Sequence, residues 1–171
     1  MTRLARPDVR FRETWAEAVA EFGGEVMHGS GLWDFDPLDV SEAGCAEVVA
    51  HLLSRGDPSV RMPDGIVHSD YFWIADDSEF VGYLALRHAL TPSLLEEGGH
   101  IGFSVRPSRR GRGHASRALA LALPRAAELG LERVLLTCDE DNEASRRTIE
   151  RNGGVYEDTR KGKRRYWIEV A

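Results

Sequence analysis

Cysteine is scarce. The 171 residues hold two, Cys45 and Cys138, far apart and in no spacing that suits a metal or a disulfide. No metal site is expected, and a reducing, cytoplasmic setting is the simplest reading. Long apolar runs are missing too, so no segment reaches the roughly 20 residues needed to cross a bilayer. The stretch from Met1 to Arg12 is charged and lacks the apolar core of a secretory signal. A basic excess is also absent. The formal net charge of −6 argues against nucleic acid as a partner, whose docking surface needs cationic surplus, and leans toward a cationic substrate. No repeat, low-complexity tract or linker divides the chain, so one domain over residues 1–171 is expected, large enough for a normal core.

What is present alternates between two periods. Phe11, Trp15, Ala18, Val19 and Phe22 recur at helical spacing until Gly23-Gly24, and Cys45, Val48, Val49 and Leu52 form the stripe of a second helix from Ser41 to Gly56. The segment from Glu25 to Asp39 reads as a loop. Leu4–Arg6 is a short strand, and Tyr71–Ala75 with Phe80–His88 make a hairpin around Asp76–Glu79. A strand at His100–Val105 leads into a long helix with Ala115, Ala118, Leu119, Ala122, Ala126 and Leu129 on one face, bent at Pro124 and ended by Gly130. Arg133–Cys138 is again a strand, so a right-handed strand–helix–strand crossover is expected. Asn142–Asn152 is a shorter helix. Val155–Asp158 and Arg164–Val170 close the chain as a hairpin. The expected fold is α/β: one mixed, mostly antiparallel central sheet with about four helices.

The most informative run is Arg109-Arg110-Gly111-Arg112-Gly113-His114-Ala115, between that strand and the long helix. Glycines let main chain approach a ligand, and the first N–H groups of a helix are unpaired donors with partial positive charge. Strand, glycine turn and helix start together form a pyrophosphate site. No Lys-Ser or Lys-Thr follows the glycines, so a P-loop nucleotide hydrolase is disfavoured.

The order of elements, with Arg110, Gly113 and Ala115 at the spaced signature positions, resembles the GNAT superfamily of acyl-CoA-dependent N-acetyltransferases. A second motif is similar as well: Asn142-Glu143-Ala144-Ser145 running to Asn152-Gly153-Gly154. The two motifs span residues 100 to 155, and the flanking elements are compatible over nearly the whole chain. The resemblance implies a GNAT-like single-domain fold with a central β-α-β cofactor crossover and acetyl-CoA as co-substrate, without a metal. It implies direct attack by a primary amine of a small molecule or peptide in a ternary complex. It assigns Arg110, Gly111, Arg112, Gly113, His114 and Ala115 to the diphosphate. Phe103, Ser104 and Val105, on a splayed strand, fall to the pantetheine arm, with Asn142 and Ser145 beside it. A tyrosine that protonates the departing thiolate in many members is replaced here by Ile149. That departure supports a second reading, a non-catalytic acyl-CoA-binding or sensing module.

Acyl transfer to an amine also needs a base. His100 stands where many members carry a carboxylate, and imidazole suits neutral pH; Glu97 and Glu96 are rivals, and a histidine bonded at a strand edge is the plainer reading. Arg109, Arg110, Arg112 and Arg117 are expected to meet phosphates in part, the rest being solvated. Arg87-His88 either lines the acceptor site or ends a hairpin. Trp33, Phe35, Tyr71 and Trp73 are expected mostly in the core, the buried thiol of Cys138 is expected to be inert, and the basic cluster Arg160–Arg165 to be solvated. The acceptor pocket is expected from the first two helices and the loops near Asp34–Asp39 and Leu90–Glu97, whose acids suit a cationic amine. Edge strands offer a route to a homodimer.

Overall fold

The computed structural model describes residues 1–170. Strands β1 (Thr2–Ala5), β2 (Ser69–Asp76), β3 (Glu79–Arg87) and β4 (Ile101–Val105) pair antiparallel in that order. Strands β5 (Arg133–Asp139), β6 (Val155–Arg160) and β7 (Lys163–Glu169) form a second antiparallel sheet with β7 in the middle. The helices are α1 (Arg12–Phe22), α2 (Glu42–Arg55), α3 (Pro92–Glu96), α4 (His114–Glu128) and α5 (Glu143–Arg151). β1 lies slightly earlier than Leu4–Arg6, and α3 fills what reads in sequence as loop. Five residues are too few to show a helical period; Thr91 starts this helix by accepting the N–H of Leu94, with Pro92 at its first position.

The central strands read as nearly unbroken apolar runs because both faces are covered. Tyr83 and Ala85 face α1 and α2, where Trp15 stacks on Trp73 at 5.7 Å. Leu84, Leu86 and Ile101 face the opposite core, shared with Ala118, Leu119 and Ala122 of α4 and Leu136 of β5. Tyr71 and Trp73 belong to the first core, Phe35 packs at its edge and Trp33 is exposed. Helix α4 runs through Pro124 without interruption.

The expected single mixed sheet is instead two, which meet at His100. Its N–H donates to the Leu135 carbonyl at 2.7 Å, and its Nδ1 accepts the N–H of Leu135 at 2.9 Å. The imidazole takes the hydrogen bond that a neighbouring strand's carbonyl would take. Beyond this point β4 and β5 form no ladder, and β4 is left with an open edge. The last hairpin is not simply solvated: Arg165 is 1% exposed, bonded to Glu157, Asp158 and the Leu95 carbonyl. It fixes α3 against the second sheet.

Candidate active site

The open edge of β4 faces the start of α4 and the face of α5 across a cleft of about 680 Å³. Phe103, Ser104, Val105, Arg110, Gly111, Gly113, His114, Ala115, Asn142 and Ser145 all line it. Glu25, Val26 and His28 from the loop after α1, and Arg147, Thr148 and Arg151 from α5, complete the wall.

Two linked features hold the glycine turn. Arg106, 5% exposed, is bonded to Glu21 and to the carbonyls of Thr14 and Phe80, so α1 is fastened to the chain just before the turn. The Arg106 bond, with help from the Ser108 N–H, outweighs burial and pulls the Glu21 carboxyl down to about 2. After the turn, Arg117 donates to Thr2 Oγ1 and to the Arg112 carbonyl, both at 2.8–2.9 Å. Gly113 begins the helix with φ +82°.

The main-chain N–H groups from Gly111 to Ser116 find no acceptor among the described residues. Helices α1, α2 and α5 each carry an acid in the first turn (Glu13, Glu42 and Glu143); α4 has neither acid nor side-chain cap. Its positive end is therefore left for an anion. The arginines divide differently from the sequence expectation. Arg109 is held by Glu79, Arg110 by Glu25 and the Val105 carbonyl, and Arg117 by Thr2. Arg112 makes no ion pair among the described residues and, alone of the residues that the resemblance assigns to the cofactor, is not among those that line the cleft. The ring of His114 is 5% exposed and bonded to Thr2, with its pKa lowered by burial, so this residue serves the cleft through its main chain.

Arg87 N–H donates to the His100 carbonyl, and Arg106 N–H to that of Val81. Strand alternation between these bonds turns the main chain of Gly102 and Ser104 toward β3, and that of Phe103 and Val105 toward the open edge. Ser104 thus offers no free N–H, contrary to expectation. Its Oγ donates instead to the His28 carbonyl at 2.7 Å. Asn142 caps α5 by accepting the Ser145 N–H at 3.2 Å, and its amide nitrogen has no partner among the described residues.

None of the three residues proposed from sequence as bases lines the cleft. With Nδ1 accepting from Leu135, neutral His100 carries its proton on Nε2, so protonation would break the sheet junction. Burial, then the nearby charge of Arg87, lowers its pKa to about 4. Glu97 is exposed beyond α3, and Glu96 pairs with Arg160 and Lys161. Of the acids expected to attract a cation, Asp34 pairs with Arg55 and Asp39 accepts the Ser41 N–H.

His28 is the residue that sequence reasoning missed. It lines the cleft, its ring makes no hydrogen bond among the described residues, and partial burial, followed by the charge of Lys163, lowers its pKa. Its place is fixed by Ser104 and by Gly29, whose backbone lies directly on Gly102. The only sequence signal was a glycine in each of two distant segments. Ile149 is fully buried in the core, while Ser145 and Thr148 line the cleft nearby. Cys138 is buried and its thiol pKa is raised by burial, as an inert residue requires.

Among curated proteins, none matches the chain. Solved structures similar to it include RimL, a ribosomal L7/L12 α-N-protein acetyltransferase in complex with coenzyme A, at TM-score 0.67 and 17% identity over 99% of this chain and 94% of that one. Mycobacterium smegmatis RimJ in complex with CoA-disulfide superposes at 0.71 with 20% identity over 99% and 82%. The microcin C7 self-immunity acetyltransferase MccE, with acetyl-CoA and AMP, superposes at 0.69 with 14% identity over 99% and 92%. These likenesses show the fold. The model of the acetyltransferase (GNAT) family matches residues 42–154, well over half the chain. The chain therefore belongs to the acetyltransferase (GNAT) family and is an acyl-CoA-dependent acetyltransferase.

Proposed function

We propose that the protein transfers an acetyl group from acetyl-CoA to a primary amine by direct attack within the cleft. One observation carries the reading: a run of unpaired N–H groups at an uncapped helix start faces an open strand edge across a single cleft. The donors from Gly111 to Ser116 match a diphosphate. Arg147 and Arg151, which line the cleft, supply cationic charge for the remaining phosphate. The free main chain of Phe103 and the Val105 N–H match the amide-bearing pantetheine arm, together with the Asn142 side chain. Similar structures hold coenzyme A or acetyl-CoA, which supports the same ligand here.

His28 acts as the base. An amine attacking the thioester carbonyl forms a C–N bond and its N–H becomes strongly acidic; the neutral imidazole takes that proton as the C–S bond breaks. The proton taken by His28 is then returned to the departing thiolate, relayed through the Ser145 hydroxyl, which gives one proton as it takes another, since Ile149 lies outside the cleft. A screen for thiol release across amines, run on wild type and His28→Gln, tests the reading. Because its ordinary value of 6.5 is lowered, His28 is neutral above that pH and becomes protonated below it. Wild-type kcat/KM should therefore show an acid limb below pH 6.5 beyond that of the amine itself. The variant should lose this limb and about 100-fold or more in rate. Tight acetyl-CoA binding without turnover of any amine would favour the non-catalytic module.

A further inference from the structure

Arg87, at the end of β3, is a largely enclosed guanidinium without a counter-ion among the described residues. Its Nη1 donates to the carbonyls of Gly98 and Gly99 at 3.1 and 3.0 Å. Its Nε and Nη2 have no hydrogen-bond partner among the described residues, and they are not sealed from solvent. Three other enclosed arginines are matched by acids: Arg106 by Glu21, Arg165 by Glu157 and Asp158, Arg55 by Asp34. The ionisable neighbours of Arg87 are Tyr71, His28 and His100, none an anion at neutral pH. A cation withdrawn from water without an opposite charge is costly unless a ligand supplies one.

Its position indicates which ligand. A Cβ on Gly102 would lie 3.9 Å from Arg87 Nη1 and 3.6 Å from the Gly29 nitrogen, so the guanidinium and the loop carrying His28 meet over this glycine. Two residues further along β4, Ser104 holds the His28 carbonyl. With Nη1 engaged, Nε–H and Nη2–H remain as a planar two-point fork, the geometry that matches a carboxylate. We propose that the acceptor is an amino carboxylate, its carboxylate received by Nε and Nη2 of Arg87 and its amine presented to His28. About 6.6 Å separates positions two residues apart on a strand, so a few bonds divide the two groups. The proposal rests on the acetyl-transfer reading and reverses the cationic substrate suggested by net charge.

The test compares amino acids with their carboxamides and with the corresponding aminophosphonates, by thiol release, for wild type, Arg87→Lys and Arg87→Met. Acetyl-CoA affinity is measured separately by calorimetry and folding by thermal melts. Wild type should favour acids over carboxamides by roughly 100-fold in kcat/KM. Arg87→Met should collapse that preference toward unity, and Arg87→Lys, which keeps charge without the fork, should retain part of it. Acetyl-CoA affinity should stay within about two-fold throughout. A wild type that acetylates carboxamides or phosphonates as well as acids overturns the proposal while leaving acetyl transfer intact, and so does an undiminished preference in folded Arg87→Met. Failure to bind acetyl-CoA would overturn both readings.

Discussion

Replacing Gly29 by alanine tests whether His28 works from a fixed place. Gly29 has φ +81°, and a Cβ there would lie 2.4 Å from the Gly102 oxygen, 2.9 Å from its carbon and 3.2 Å from the Ala85 nitrogen. All three are main-chain atoms of paired strands, so the loop must yield rather than the sheet. Ordinary contact begins near 3.4 Å, which requires the loop to rise by about 1 Å. Alanine in the left-handed region adds about 1–2 kcal/mol of strain in the same direction. The movement stretches the 2.7 Å bond from Ser104 Oγ to the His28 carbonyl and carries the imidazole off its mark. A misplacement of about 1 Å can cost about 100-fold in a reaction that depends on orientation. The assay is kcat/KM for the amine at saturating acetyl-CoA, beside calorimetric affinity for acetyl-CoA. We expect a fall of about 100-fold with affinity unchanged. Ser104→Ala, which removes only the hydrogen bond of about 1 kcal/mol, should cost nearer five-fold. Activity within two- or three-fold of wild type in Gly29→Ala would refute the reasoning, as would a parallel loss of acetyl-CoA affinity.

Two further outcomes follow from geometry. In Gly113→Val, the clash with the flexible Arg117 at 2.8 Å can relax, but a β-branched residue at φ +82° cannot hold the turn. Acetyl-CoA affinity measured by calorimetry should fall at least ten-fold, about 1.4 kcal/mol, through misdirected N–H groups. Away from the cleft, Asp70 is 1% exposed and bonded to Arg125 at 2.6 Å and His88 at 2.9 Å, with Arg6 at 3.7 Å. Burial alone would raise its pKa, but these partners outweigh it and hold the carboxyl below its ordinary range. Its stabilisation is therefore present above the unfolded carboxylate pKa of about 3.9 and is lost as pH falls through the folded value. Asp70→Asn should cost about 2–3 kcal/mol near neutral pH, below the fully buried case because Arg125 and His88 are partly solvated. Thermal melts should show the gap between variant and wild type closing below pH 4; a gap that persists there would contradict the assignment.

What could be read from sequence was local. The turn at Gly111–Gly113, the start of α2 at Ser41 and the start of α5 at Asn142 are specified within a few residues, and each lies where it was expected. The separation into two sheets was not legible, because where they meet the side chain of His100, rather than a strand carbonyl, receives the Leu135 N–H, a contact between distant segments. The same fact removes His100 from the list of bases. His28 escaped notice since the loop between α1 and α2 has no period, and what fixes it is the contact of Gly29 with Gly102. The arginines were misjudged for a related reason. Their partners Glu79, Glu25 and Thr2 are remote in sequence, whereas Arg147 and Arg151 look like ordinary solvated residues of an exposed helix until the cleft is seen.

The grip of main-chain donors on a diphosphate can be observed directly. Amide 15N–1H spectra recorded on titration with coenzyme A should show the resonances from Gly111 to Ser116 shifting together. Pantetheine, which lacks the diphosphate, should leave them in place while moving Phe103 and Val105. If coenzyme A binds and those six amides do not respond, or if pantetheine shifts them equally, the diphosphate is held elsewhere and the account is wrong.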